Sequence, residues 1–154
     1  MKQLLSIFVA SLMVLAINAK ASTQNLLEAA TASGQFTTFI KAVDAAGLTE
    51  ALSKQGPYTL FAPTDEAFEK LPEQELNALM QDRRTLQILI AYHVLPGKQM
   101  KSELKDGPVK TVQGLDLTIS TKGDTRVENA KIVKADIAAS NGVVHSIDTV
   151  MLPK

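Results

Sequence analysis

Apolar positions along this chain change their spacing once, and the change separates a helical half from a strand-forming half. Leu26, Leu27 and Ala30 lead into Phe36, Phe39, Ile40 and Val43, the last four spaced i, i+3, i+4, i+7. That spacing predicts amphipathic helices. Gly34 breaks the pattern into two, with Ser33 available as a cap, and Gly47 ends the second helix. Residues 48–54 can form one more short helix before the turn pair Gly56-Pro57. Further on, Pro72-Glu73-Gln74-Glu75 has the proline and acidic residues of a helix start. Asp82 can cap the next helix, whose apolar residues are Leu86, Leu89, Ile90 and Val94. Beyond it the runs are short and strand-like: Val109 to Val112, Leu115 to Ser120, Thr125 to Glu128, Lys131 to Lys134 and Val143 to Met151. Gly107-Pro108, Gly114, Lys122-Gly123-Asp124 and Asn141-Gly142 punctuate them.

One early stretch, Tyr58 to Phe68, combines a strand, a stop and a helix start. Tyr58 to Ala62 is a β-forming run, and Pro63 cannot donate to a ladder, so the strand should end there. Thr64 or Asp65 can then cap a helix, because a side-chain oxygen can accept from the free first-turn amides. Asp65 and Glu66 place negative charge at that helix's positive end. Phe68 is the first large apolar residue available to pin the corner to a core. Helices first and strands later, with one early strand, argue for an α+β fold with mainly antiparallel pairing.

Residues 1–21 read as a secretory signal. Lys2 supplies the positive start, Leu4 to Ile17 is an apolar run broken only by Ser6 and Ser11, and Ala19-Lys20-Ala21 matches a small-x-small cleavage site after Ala21. The apolar run is shorter than the roughly 20 residues of a membrane span. Residues 22–154 then form a single domain, long enough to bury a core without disulfides. The whole chain has no cysteine, which excludes lipid attachment at a cysteine, and no apolar tail follows Val150 to serve as a carboxy-terminal anchor. Removing Lys2 and Lys20 leaves 14 basic against 16 acidic residues. Without a basic stripe or aromatic-basic interleaving, nucleic acid is not an expected partner, and no polybasic patch favours an anionic membrane. The expected location is the periplasm or the extracellular space.

Candidate chemistry centres on two histidines. His93 lies on the apolar stripe of its helix, four residues after Leu89, where a buried hydrogen-bonded role competes with any site role. His145 alternates with Val143 and Ile147 and shares their face of a strand. Two histidines without cysteines make a poor zinc set, and no His-Glu-x-x-His helix or EF-hand loop is present. His145-Ser146-Ile147-Asp148 contains the residue types of a hydrolase triad, but consecutive strand residues point to opposite faces. No Gly-x-Ser-x-Gly elbow, Walker loop or dinucleotide fingerprint occurs. The expectation is a non-enzyme with no cofactor and no metal.

Three segments carry a family resemblance. Thr59-Leu-Phe-Ala-Pro-Thr-Asp-Glu-Ala-Phe68 resembles the first signature of fasciclin domains, Tyr92-His93-Val94-Leu95 their Tyr-His segment, and Asn141 to Pro153 their C-terminal signature. The resemblance implies a β-wedge or sandwich flanked by several helices. It makes Thr59, Phe61, Pro63, Thr64, Asp65, Phe68, Gly142, His145, Asp148 and Pro153 structural signature positions. It also implies an adhesion or matrix-binding module. In some animal members the Tyr-His segment and Asp-Ile segments are implicated in integrin-dependent adhesion, which makes Tyr92, His93, Asp136 and Ile137 candidate contacts with an extracellular or envelope protein or polysaccharide. Lys122-Gly123-Asp124 is similar to an integrin-type tripeptide, although between two strands it is first a turn. The alternative function is a soluble carrier of a small ligand, lipid or glycan. With Tyr58 and Tyr92 as the only tyrosines and no tryptophan, the chain has few aromatics for a glycan surface.

Overall fold

The computed structural model describes residues 24–153, so the leader expected at residues 1–21 lies outside the described residues. Helix α1 (Leu26–Ser33) starts at a reciprocal cap. Asn25 Oδ1 accepts from the Glu28 amide at 2.9 Å while Glu28 Oε1 accepts from the Asn25 amide at 3.1 Å. It stops at Gly34, whose φ of 74° is left-handed. Helix α2 (Thr37–Ala46) buries Phe39, Ala42, Val43 and Ala46, a stripe of helical period. Helix α3 (Thr49–Lys54) follows, then strand β1 (Tyr58–Pro63), helix α4 (Asp65–Glu69) and helix α5 (Glu73–Gln81). Asp82 caps helix α6 (Arg83–Tyr92), accepting from the Thr85 amide and hydroxyl at 3.1 and 2.7 Å.

The corner at Thr64-Asp65 does more than its sequence announces. Thr64 Oγ1 accepts from the Ala67 amide and starts α4. The Asp65 side chain turns away from that helix and accepts from the Thr38 amide at 2.7 Å, so it caps α2 from a distant part of the chain. The Asp65 amide in turn donates to Gln35 O at 2.9 Å. Ser33, expected as the cap of α2, is not one: the residue at the cap position is Phe36, and the Ser33 hydroxyl has no partner among the described residues.

The strands are β2 (Val94–Pro96), β3 (Gly107–Lys110), β4 (Asp116–Ser120), β5 (Arg126–Val127), β6 (Ala130–Ala139) and β7 (Gly142–Ile147). Their order in the sheet is β2-β1-β7-β6-β5-β4-β3. Every pairing is antiparallel except β1–β7, which is parallel with Phe61 opposite His145. Several boundaries differ from the sequence reading: β3 runs from Gly107 to Lys110 rather than from Val109 to Val112, and β7 ends at Ile147 rather than at Met151. α6 ends at Tyr92 because Val94 pairs with Leu60 and begins β2. β6 continues past Lys134 to Ala139 through register shifts, with Asp136 at φ 61°; this bulge scrambles the alternation that would reveal the strand.

The sheet also curls. Val112, just beyond edge strand β3, donates its amide to Val94 O of the opposite edge strand β2 at 2.9 Å. Linking the edges removes part of the unpaired ladder that edge strands expose. Two cores result. Leu60, Phe39, Leu89 and Val144 pack where the helices cover the sheet, whereas Phe61, Leu95, Leu117, Ile119 and Ile147 pack inside the curl. Leu60 and Phe61 are neighbours on β1, and strand alternation sends one into each core. The architecture is α+β, with its helices mostly in the N-terminal half.

Candidate functional site

Both histidines are fully buried and neutral, and each bridges two elements. His93 follows the last turn of α6, and its Nδ1 lies 2.7 Å from Leu89 O while its Nε2 lies 3.0 Å from the Met151 amide nitrogen. A carbonyl can only accept and an amide can only donate, so Nδ1 carries the proton and Nε2 is the acceptor. Burial pushes its pKa down to about 4, against a smaller upward pull from the Leu89 carbonyl. His145 has the other tautomer: Nδ1 accepts from the Asp136 amide at 3.0 Å and Nε2–H donates to Gln99 O at 2.8 Å. Its ring stacks on Phe61 at 5.8 Å. Burial lowers its pKa too, with Gln99 O and Asp136 opposing and Lys101 assisting.

These bridges have different consequences. His145, Thr59 and Asp136 hold the segment after β2. Thr59 Oγ1 donates to Gly97 O and accepts from the Gln99 amide, while Asp136 Oδ1 accepts from the Lys101 amide at 2.8 Å. His93 instead holds the C-terminal tail, whose Val150, Met151 and Leu152 wall a groove of about 550 Å³. Tyr92 and Thr118 line the same groove with Glu128. The Tyr92 hydroxyl donates to Glu128 Oε1 at 3.2 Å, and Glu128 Oε2 accepts from the Thr118 amide at 3.0 Å. Burial, followed by the neighbouring Glu128 charge, raises the Tyr92 pKa.

The four candidate contact residues therefore occupy different environments. His93 has no exposed surface, and Tyr92 is buried apart from the face that lines the groove. Asp136 is exposed, and Ile137 is half-buried against the helix-covered core. Of the signature positions, Thr59, Phe61, Pro63, Phe68, Gly142 and His145 are buried. Thr64 and Asp65 are caps, and Asp148 Oδ1 accepts from the Lys131 amide at 2.8 Å. Pro153 closes the described chain outside any regular element. Lys122-Gly123-Asp124 forms a turn with Gly123 at φ 71°, and Asp124 pairs with Lys131 at 3.2 Å. Sequence reading missed Glu128, which it placed within a strand run. The structure puts Glu128 and Asn129 in the two-residue loop joining Val127 to Ala130; Asn129, a turn-forming residue, was the available signal.

Among the described residues, no nucleophile is assembled beside either imidazole. Ser146 Oγ donates to Lys134 O at 3.3 Å, while His145 is engaged by Asp136, Gln99 and Phe61. Among the described residues no group of three or more histidine and acidic side chains could hold a metal ion, and no helix is long and apolar enough to cross a membrane. The fold and this groove define a small α+β module whose buried polar groups shape a surface. The chain belongs to the fasciclin-domain family, whose model matches residues 34–153.

Similar proteins include Protein sll1483 of Synechocystis sp., 41% identical over 135 residues that cover 86% of this chain and 75% of that protein. Transforming growth factor-beta-induced protein ig-h3 of Sus scrofa is 40% identical over 123 residues, covering 77% of this chain but 18% of that protein. A FAS1 domain pair from the insect cell adhesion molecule Fasciclin I shares the fold, with a TM-score of 0.60 and 23% identity over 77% of this chain and 45% of the neighbour.

Proposed function

We propose that this protein is an exported, non-enzymatic interaction module that binds an extracellular or envelope protein or polysaccharide through the groove beside Tyr92. The observation that carries the reading is the convergence of Tyr92 with the tail held by His93 on one concave surface. Tyr92 is then a contact residue, and His93 positions the wall from inside. Asp136 anchors the segment after β2 at its backbone and supplies a separate exposed edge. The match to a cell surface glycolipoprotein, MPB83 of Mycobacterium bovis, 41% identical over 64% of this chain and 44% of that protein, supports a surface location.

The test is a pull-down of residues 22–154 against solubilised envelope and matrix, polysaccharides included. Leu152→Ser is the diagnostic variant, because Leu152 is half-exposed at the rim and its change leaves the core intact and adds no charge beside Glu128. A saturable partner weakened by Leu152→Ser supports the reading; capture unaffected by it removes the groove from the function. A small-ligand or lipid reading has its own candidate place, an open groove of about 700 Å³ among α1, α2 and α3, lined in part by Leu27, Ala32 and Ile40. Native mass spectrometry showing a co-purifying small molecule, with no macromolecular partner, would replace adhesion by that reading.

A further inference from the structure

Among the described residues, the groove contains a charge without a counter-ion. Glu128 is half-buried and lines the groove as its one charged side chain, yet no cation pairs with it among the described residues. Its oxygens accept from two neutral donors, the Tyr92 hydroxyl and the Thr118 amide. A carboxylate offers about four lone-pair positions, so each oxygen retains capacity for another donor. Val150, Met151 and Leu152 supply apolar surface beside it. An acceptor of negative charge next to an apolar wall matches one kind of group: a cationic head on an alkyl stem.

The backbone fixes where this carboxylate sits. Glu128 has φ 54°, in the left-handed region, where a side chain gains nothing and glycine or asparagine costs less. Its neighbour Asn129 tolerates that region better, but it is Glu128 that occupies it. The two-residue loop between Val127 and Ala130 accounts for it, because hairpin turns of this length use a positive φ at their first residue. The turn places the carboxylate against the Tyr92 hydroxyl at the groove.

We propose that the groove receives a lysine or arginine side chain of a partner protein, with Glu128 as its counter-ion and Val150, Met151 and Leu152 packing along its stem. The assignment rests on the reading of this groove as the contact surface and adds the chemistry of what enters it. A polysaccharide bearing carboxylates or sulfates is excluded from this position by the same charge.

The experiment is an amide NMR titration of the protein with two peptides that differ only at a central lysine or norleucine. The lysine peptide should shift the Thr118, Glu128 and Leu152 amides saturably, and norleucine should weaken binding by about tenfold or more, as loss of a paired charge does. Glu128→Gln should weaken the lysine peptide to the level of the norleucine one. Glu128→Gly should also lose binding, and a cooperative thermal transition in that variant separates loss of the charge from loss of the fold. Equal binding of both peptides, undiminished binding by a folded Glu128 variant, or no shift in the groove would overturn the assignment. Hexylamine binding as tightly as the lysine peptide would reassign the pocket to free amines and overturn the protein-partner claim. A pull-down partner that binds Glu128→Gln undiminished would preserve the interaction module while sinking the cation site.

Discussion

Acidification should unlock this fold in a window set by the histidines, and His93 gives the cleanest case. In the folded chain Nε2 of His93 accepts from the Met151 amide, so protonating it sets N–H against N–H in a fully buried position. Its pKa is lowered from 6.5 to about 4, chiefly by burial. Between these values the unfolded chain binds a proton that the folded chain refuses, and stability therefore rises with pH. The contribution is fully present above about pH 6.5, falls by about 1.4 kcal/mol per pH unit near pH 5, and is gone near pH 4, a total of about 3 kcal/mol. His145 acts in the same direction, its pKa being lowered by burial. Asp82 and Asp106, held low by hydrogen bonds to Thr85 and Thr121, lose their stabilisation only at lower pH, as they titrate below the ordinary 3.8. Urea unfolding from pH 7.5 to 4.5 measures the slope. His93→Gln should be less stable at neutral pH yet lose less on acidification. An unchanged slope in a folded His93→Gln protein would refute the assignment of the acid sensitivity to this imidazole.

Three further outcomes follow from individual contacts. Asp65→Ala should destabilise by about 1 kcal/mol through loss of the cap on α2, with hydrogen exchange accelerating at Thr38 rather than in α4. Gly142→Ala should cost at least about 3 kcal/mol in urea unfolding, because a Cβ there overlaps the Tyr58 carbonyl across the β1–β7 pairing. Tyr92→Phe removes only the hydroxyl bonded to Glu128 and should cost about 1 kcal/mol, measured by thermal melting, while weakening any ligand that uses the groove.

The helices were legible because their signals are local: Gly34, Gly47 and Asp82 mark ends by their own backbone or side-chain chemistry. The alternation that puts His145 on the face of Ile147 was legible for the same reason. What the sequence concealed is non-local. Asp65 reads as a first-turn residue of its own helix, and nothing nearby reveals that its carboxylate crosses to the Thr38 amide. The second half of β6, past Lys134, hid behind a bulge at Asp136. The groove joins residues from α6, β4, the β5–β6 turn and the tail, so no window of sequence contains it.

The chain has no cysteine, yet its long-range joints are specific. His93 ties α6 to the tail, His145 ties the β6 bulge to the segment after β2, and Asn141 ties the β6–β7 turn to α1 and α3 by accepting from Leu26 and donating to Leu52 and Gln55. Each joint is a polar side chain with partners from separate elements, which fixes position without a covalent bond. That economy couples fold to surface. A His93 variant that loses a partner has lost the bond holding Met151, and so the loss alone does not make the imidazole a contact. Tyr92→Phe and Glu128→Gln change groups that line the groove while leaving the His93–Met151 bond in place. Binding lost in those two variants, with the acid slope unchanged, separates recognition from the joint that positions it.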